Sequence, residues 1–337
     1  MNRGIACIGN LIIDVIKEIE SFPAAGNLTT ITAVGETTGG LICNCLLDIH
    51  NMDSSVPLTA VGLIGADAYG EKIVSSLSAA GIEVSHIRKH PSLGTSFTDV
   101  MNQSGGGERT FFQYRGANAA FAPGHIPLDE IQADILHFGY ILLLDTLDGP
   151  DAEYGTLMAR VLHDAQKKGF KTSIDIVSEQ SERFVKIVPP ALKYTDYCVV
   201  NEIEASAAAG IPCRDGQGKL QLEQMEPLCR ALKAMGVGEW AVIHCPEGGF
   251  AVDGQGRYFA QPSVNIVKSE IKGKTGAGDA FCSAILYCAY KDIPLPEALK
   301  LAGAAAVACL RDKSATAGVL PVDELWSLIE QSGFEQW

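Results

Sequence analysis

The residues Gly276-Ala277-Gly278-Asp279, followed directly by the apolar run AFCSAILYCAY, have the types and spacing to do chemistry. A glycine-rich turn opening a helix leaves backbone N–H groups unpaired at the positive end of the helix dipole, which makes an anion site. Gly276, Ala277 and Gly278 carry no bulk that would hold a ligand off those amides. Asp279 falls at the helix start, where a carboxylate is stabilised in its ionised form. There it could take a proton from a hydroxyl while the amides hold charge developing on a transferred phosphoryl group. An aspartate that only caps the helix would occupy the same place. The adjoining Gly273-Lys274-Thr275 imitates the end of a P-loop, but G-x-x-x-x-G-K-[ST] needs glycine at position 268, which is Lys268.

A second pair lies in VVNEIEA, where a strand runs into Asn201 and a helix begins. Asn201 and Glu204, three apart, can face one way at a strand's carboxyl end, the edge at which open α/β sheets bind ligands. An amide and a carboxylate there suit a hydrated Mg²⁺ carrying nucleotide phosphates, and they equally suit a helix cap with a solvated glutamate.

The elements that must position these residues follow from periodicity. From about residue 130 onward, the strand candidates ADILHFGYI, KTSIDIV, DYCVVN and WAVIHC alternate with DAEYGTLMARVLHDAQKKG, EIEASAAAG and LQLEQMEPLCRALKAMG, whose apolar spacing is helical. Gly169 and Gly236 close the first and last of these as C-terminal caps would. This is the rhythm of a parallel sheet covered by helices. The first part reads differently. After a strand at GIACIGN, the stretches VIKEIESFPAAGNLTTITAVGETTGG and GTSFTDVMNQSGGGERTFFQYRG have the character of a small β-layer, the latter as two strands joined by a Ser-Gly-rich turn. Between them, LICNCLLDIHNM and AYGEKIVSSLSAAG read as helices.

Composition bounds the rest. With 337 residues, 47% of them apolar, the chain can bury a substantial core. Its net charge of −14 repels polyanions, so nucleic acid is not an expected partner and any phosphate site must be made locally. Ten scattered cysteines without a CxxC pair suit buried thiols in a reducing cytoplasm. The start MNRGIACIGNLIID lacks the character of a signal peptide, and no apolar run reaches the length of a membrane span.

Gly276-Ala277-Gly278-Asp279 with Thr275 before it, Asn201-Glu202-Ile203-Glu204 upstream, GNLIID followed by TGGLICNC, and VGLIGADAYGEKI together resemble the ribokinase family of sugar and nucleoside kinases, also called the phosphofructokinase-B family. The resemblance extends from about Cys7 to Leu310, with the motifs in the family's order and spacing. It implies an α/β fold: one domain over residues 1–337, a ribokinase-like three-layer α/β/α sandwich with a mainly parallel central sheet and a small β-sheet lid. The lid segments would span approximately 14–38 and 94–118, close over a sugar and form a homodimer surface. The implied activity is ATP-dependent phosphorylation of a hydroxymethyl group of a small sugar or sugar acid, as in fructokinase, ribokinase or 2-keto-3-deoxygluconate kinase.

Carried over by position, Asp279 is similar to the family's catalytic base, and Gly276, Ala277 and Gly278 to its anion hole. Asn201 and Glu204 resemble the Mg²⁺/phosphate motif, with Glu204 reaching the ion through water. Asp14, Gly39, Gly40 and Asn44 match positions that contact substrate hydroxyls, as a carboxylate, an amide and paired glycines could. Arg115, in FFQYRGANAAF, resembles a Tyr-Arg segment used at the sugar; its fork could hold an anionic substituent or fix the lid by pairing with an acid. Gly248, in HCPEGG, is the candidate for close approach to the nucleotide's phosphates or ribose.

Two places depart from the family's spelling. The usual Asp-Thr-x-Gly-Ala-Gly-Asp begins with an aspartate that often helps bind a monovalent cation, and here Gly273 and Lys274 stand in the first two positions. Lys274 is thereby a candidate to replace the cation's charge or reach nucleotide phosphates, with weak K⁺ dependence expected; a solvent-facing lysine is the plain alternative. In DIVSEQSERF, Val177 stands where many sugar kinases have asparagine, so the substrate is not inherited by name. A nucleoside kinase of the same family would want an aromatic base pocket. A non-catalytic sugar-binding member is disfavoured by the retained Asp279. A dinucleotide-binding dehydrogenase is disfavoured further, because CIGNLIID has only Gly9 and no G-x-G-x-x-G.

Overall fold

Along Ile5–Gly9 every residue is buried, Ile5 and Cys7 in one apolar cluster and Ala6 and Ile8 in another. Side chains of a strand alternate faces, so such a strand belongs inside a sheet covered on both sides. The computed structural model, which describes residues 3–103, 109–177 and 183–337, contains that sheet. In chain order the strands are β1 (Ile5–Gly9), β2 (Ile12–Ile19), β3 (Ile31–Gly39), β4 (Leu58–Gly65), β5 (Glu83–His90), β6 (Ser96–Gln103), β7 (Arg109–Tyr114) and β8 (Ile135–Ile141). There follow the two-residue pair β9 (Pro150–Asp151) and β10 (Gly155–Thr156), then β11 (Lys171–Ile176), β12 (Tyr197–Asn201), β13 (Trp240–Cys245), β14 (Gly248–Val252) and β15 (Tyr258–Pro262).

The main sheet has nine strands in the order β15-β14-β13-β12-β11-β8-β1-β4-β5. All run parallel except β14 and β15, which extend one edge as an antiparallel meander. The chain starts in β1, builds outward through β4 and β5, then returns to the other side of β1 with β8 and continues away. The strand order therefore reverses between β1 and β8, and the crevice beyond their carboxyl ends is where such a sheet accepts a ligand.

One face is covered by α1 (Gly40–Met52) and α2 (Ala68–Ala79), and the short α3 (Gly116–Ala119), α4 (Leu157–Lys167), α5 (Phe184–Leu192), α6 (Glu202–Ala209) and α7 (Met225–Ala234) lie on the opposite one. The last three helices, α8 (Ala277–Tyr290), α9 (Leu295–Leu310) and α10 (Val322–Ser332), return to the first face. Helix α8 is buried along most of its length, packed between α1 and α9, which is why its sequence reads apolar all round. No helix among the described residues is long and apolar enough to cross a membrane. All ten cysteines are free thiols, and all but Cys245 are buried.

A second sheet of four strands, β3-β2-β6-β7, stands over the carboxyl edge of the first. Its antiparallel pairs β2/β3 and β6/β7 are joined by the parallel contact of β2 with β6. It is the lid of the fold. Asp67 ties its base to the body: it caps α2 by accepting from Gly70 N–H and also takes the Thr95 N–H at 2.7 Å, just before β6.

Several expectations shift in detail. DAEYGTLMARVLHDAQKKG is not helical throughout, because the β9/β10 hairpin takes its start and Thr156 caps α4 by accepting from Ala159 N–H. The C-terminal cap glycines are where the sequence put them, with φ of +86° at Gly169 and +119° at Gly236. The Ser-Gly-rich turn and most of SEQSERF fall outside the described residues.

Candidate active site

Asp279 is the third residue of α8, and the helix opens at Gly276 with no side-chain cap. Gly276 has φ of +86°, and a Cβ there would lie 2.2 Å from the Ala315 carbonyl oxygen, so both its backbone and its neighbour exclude a side chain. The first intrahelical bond runs from Ala280 N–H to Gly276 C=O at 2.8 Å, which leaves the amides before it at the mouth of the helix. A bare helix start of fourteen residues is thus presented at the sheet's carboxyl edge.

The Asp279 carboxylate is held from two directions. Asn44 Nδ2 on α1 donates to Oδ2 at 2.8 Å, and the Tyr140 hydroxyl at the end of β8 donates to Oδ1 at 2.8 Å. Burial raises the Asp279 pKa, and these two donors pull it partly back. Burial and the nearby carboxylates push the Tyr140 phenol well above its ordinary range, so it stays a neutral donor. Tyr140 is itself set by Asn10, which is fully buried just past β1: the Asn10 Oδ1 accepts from Tyr140 N–H, and Asn10 N–H donates to Gly139 C=O at 2.9 Å. Sequence reading missed both, although each is a polar residue at the carboxyl end of a buried strand.

Beside Asp279 lies a cleft of about 160 Å³ lined by Tyr140, Asp175, Asn201, Glu204, His244 and Gly278 among others. Asn201 and Glu204 form a reciprocal cap: Asn201 Oδ1 accepts from the N–H of Ile203 and Glu204, and Glu204 Oε2 accepts from Asn201 N–H at 3.0 Å. The capping role and the cleft-lining position therefore coexist. Asp175 sits among them with its pKa raised well above the usual carboxylate range, by burial first and then by Asp279 and Glu204. Such a gathering of acids suits a cation that would relieve their mutual repulsion. Next to Asn201 in sequence, Glu202 is gripped by Arg214, whose Nε donates to it at 2.9 Å and whose other nitrogens hold Glu247, tying the start of α6 to the β13/β14 turn.

Asp14, on β2 of the lid, is electrostatically coupled to Asp279. Its pKa is raised to about 6 by burial and then by Asp279, against a hydrogen bond with Thr98. Gly39 explains how the carboxylate fits: a Cβ there would stand 2.3 Å from Asp14 Oδ2. Gly40, with φ of +79°, would bring a Cβ 2.8 Å from Asn10 C=O, so the paired glycines let α1 start against β1.

The remaining candidate residues take the following places. Asn44 is 5% exposed and faces Asp279, with its Nδ2 given to the carboxylate. The missing side chain of Gly278 makes room for an imidazole, since a Cβ would lie 3.1 Å from His244 Cε1. His244 stacks on Phe281 at 5.1 Å and is kept neutral by burial, which lowers its pKa to about 4. Gly248 is buried in β14, where a Cβ would collide with Gln261 C=O of β15 at 2.3 Å; its close approach is to a strand. Arg115 pairs with no acid among the described residues, and its Nη1 donates to Leu142 C=O at 3.1 Å. Lys274 is exposed on the loop before α8. The lid residue that reaches this loop is Arg109, whose Nη1 donates to Thr275 Oγ1 at 2.7 Å.

The nine-stranded sheet with its two helical layers and β lid is the ribokinase-like fold. It superposes on the structure of Arabidopsis thaliana ribokinase complexed with ribose and ATP with a TM-score of 0.80, over 98% of this chain and 99% of that one at 21% identity. A ribokinase structure from Giardia lamblia gives 0.78, covering 97% and 99% of the two chains at 18% identity. In sequence, an Arabidopsis thaliana ribokinase is 26% identical over 317 residues, 91% of this chain and 76% of the relative. A Schizosaccharomyces pombe ribokinase is 21% identical over 336 residues, 96% and 98% of the two chains. The model of the pfkB family of carbohydrate kinases matches residues 2–322, and the chain belongs to that family.

Proposed function

We propose that this carbohydrate kinase transfers the γ-phosphoryl group of ATP to a hydroxymethyl group of a small sugar or sugar acid. The observation that carries the reading is Asp279: a carboxylate held by Asn44 and Tyr140 at an uncapped helix start, beside a cleft lined by Asn201 and Glu204. In this reading Asp279 accepts the proton of the attacking hydroxyl, and the Gly276 to Gly278 amides hold charge gathering on the phosphoryl oxygens. Asp14, with Arg115 at the base of the lid, orients the sugar, and lid closure excludes water.

Glu204, Asn201 and Asp175 are the residues that would hold hydrated Mg²⁺, which when bound neutralises phosphate charge. A K⁺ site of the usual kind does not fit. No carboxylate stands at Gly273, and a Cβ there would approach Asp312 C=O to 2.8 Å. K⁺ dependence should accordingly be weak, and rates in Na⁺ and K⁺ buffers within about twofold of each other check this. The lid sheet exposes Ile31, Val34, Phe111, Phe112 and Tyr114, which suits a homodimer through the lid. A cytoplasmic enzyme agrees with the free thiols.

A coupled ADP-release screen over ketoses, aldoses, sugar acids and nucleosides tests the activity. Asp279→Asn should lower kcat by at least about 10²-fold, on the scale of a lost general base, with sugar binding nearly unchanged. Full activity of that variant would remove Asp279 from the mechanism. Sugar-dependent thermal shifts without turnover in the wild type would mark a binder instead.

A further inference from the structure

Asp48 lies one turn beyond Asn44 on α1, fully buried, and serves no role in the chemistry above. Residues four apart on a helix share a face. Here that face is turned to α8, where Asn44 meets Asp279 and Asp48 Oδ2 lies 3.5 Å from Ser283 Oγ, one turn on from Asp279. The Ser283 hydroxyl is already committed at 2.7 Å to Asp279 C=O, so its single proton leaves little for Asp48. Two buried acceptor atoms on this face, Asn44 Oδ1 and Asp48 Oδ1, have no hydrogen-bond partner among the described residues. Orphaned buried acceptors are costly and call for an explanation.

One proton removes both. We infer that Asp48 is a neutral carboxylic acid whose Oδ1–H donates to Asn44 Oδ1, directly or through one buried water, and so acts as a positioning residue for the Asn44 amide that holds Asp279. An ionised Asp48 would present only acceptors to Asn44 Oδ1. With its oxygen satisfied from the Asp48 side, the amide must offer Nδ2 to the Asp279 carboxylate, and a flipped amide would set oxygen against oxygen. Burial first, and then two of the groups facing Asp48, favour the neutral form. From α8 comes Asp279, from α1 itself the Cys45 thiol, and Ser283 supplies the one opposing hydrogen bond. Cys309 on α9 also interacts with Asp48, and its thiol is raised to about 12, so it brings no charge of its own.

The consequence for turnover rests on the proposed kinase activity, whereas the protonation state does not, so the two are tested apart. The first measurement is an infrared difference spectrum of wild type minus Asp48→Asn near neutral pH. It should show the carbonyl stretch of a protonated carboxylic acid, and a carboxylate band there instead would overturn the inference whether or not the enzyme turns over. The second compares Asp48→Asn, which keeps a donor, with Asp48→Leu, which has none. Asp48→Asn should retain kcat within about threefold, and Asp48→Leu should lose on the order of tenfold, the effect of one unsatisfied buried group. The acid limb of the Asp48→Leu rate profile should also move to higher pH, because an unanchored Asn44 stabilises ionised Asp279 less. A purely structural Asp48 would lower Tm in the leucine variant and leave that limb in place. Equal loss in both variants would show that the carboxylate itself is required, and would overturn the proposal.

Discussion

At the scale of single residues, the raised carboxylates of the candidate site oppose stability. Asp14 titrates at about 6 in the folded protein instead of 3.8, from burial first and from Asp279 second. The native state therefore holds the extra proton between those values, and stability falls as pH rises through that window and stays lower above it. Asp14→Asn should raise Tm at pH ~7.5, by a stabilisation of roughly 1–3 kcal/mol, and change it far less at pH ~4. Thermal melts at the two pH values check this, and a variant that melts below the wild type at the higher pH would contradict the coupling. The same variant should raise the sugar KM, since its amide is a weaker acceptor for hydroxyls than the carboxylate. Asp279 itself is raised, so the acid limb of kcat/KM should stand above the ordinary carboxylate range. His244 does not supply that limb, because burial keeps its imidazole neutral down to about 4.

At the scale of elements, two close approaches assemble the site. The start of α8 presses on the loop after α9, and Gly276→Ala would place a methyl group 2.2 Å from Ala315 C=O at a φ of +86°. The variant should lose about 1–3 kcal/mol of stability and, because the helix start must retreat, most of its activity. Unchanged urea unfolding and unchanged kcat in Gly276→Ala would refute that account. The lid meets the body of the site through Arg109 and Thr275, both exposed. An exposed bond contributes under about 1 kcal/mol to stability, so Arg109→Ala should leave Tm in place while raising the sugar KM severalfold through weaker lid closure. An unaltered KM would show that the contact does not hold the lid.

Across the whole molecule, the Tyr140 and Asp279 end of the cleft lies at the reversal of strand order between β1 and β8, and the rest of its lining runs from there over the ends of β11, β12 and β13. Asn10 and Tyr140 mark that reversal, and α1 and α8 bring Asn44 and Asp279 to it from the helical layer. By the strand register Val34, Phe112 and Tyr114 lie on the face of the lid sheet opposite to Asp14, and they stand 61%, 58% and 43% exposed. Light scattering should find a dimer, and Phe112→Glu should shift it to monomers, since a charge on that face must otherwise be desolvated. A wild-type monomer at tens of micromolar would exclude the lid interface.

The sequence by itself determined the sheet rhythm, the buried α8 and the paired signals around Asp279 and Asn201, because these rest on local periodicity and on turns that need glycine. The edge strands β14 and β15 escaped it. Their short runs, Gly248–Val252 and Tyr258–Pro262, carry glycine and proline and gain strand character from pairing, β14 with β13 and β15 with β14. Only the tertiary structure decided why particular glycines are glycines: Gly39 yields to the Asp14 carboxylate, Gly278 to His244 and Gly248 to a neighbouring strand. It also decided the partners of Asp279, since Asn44 and Tyr140 lie 235 and 139 residues away. A hydrogen bond across such a separation leaves no trace in local spacing, and it exists because the parallel sheet returns the ends of distant strands to one edge.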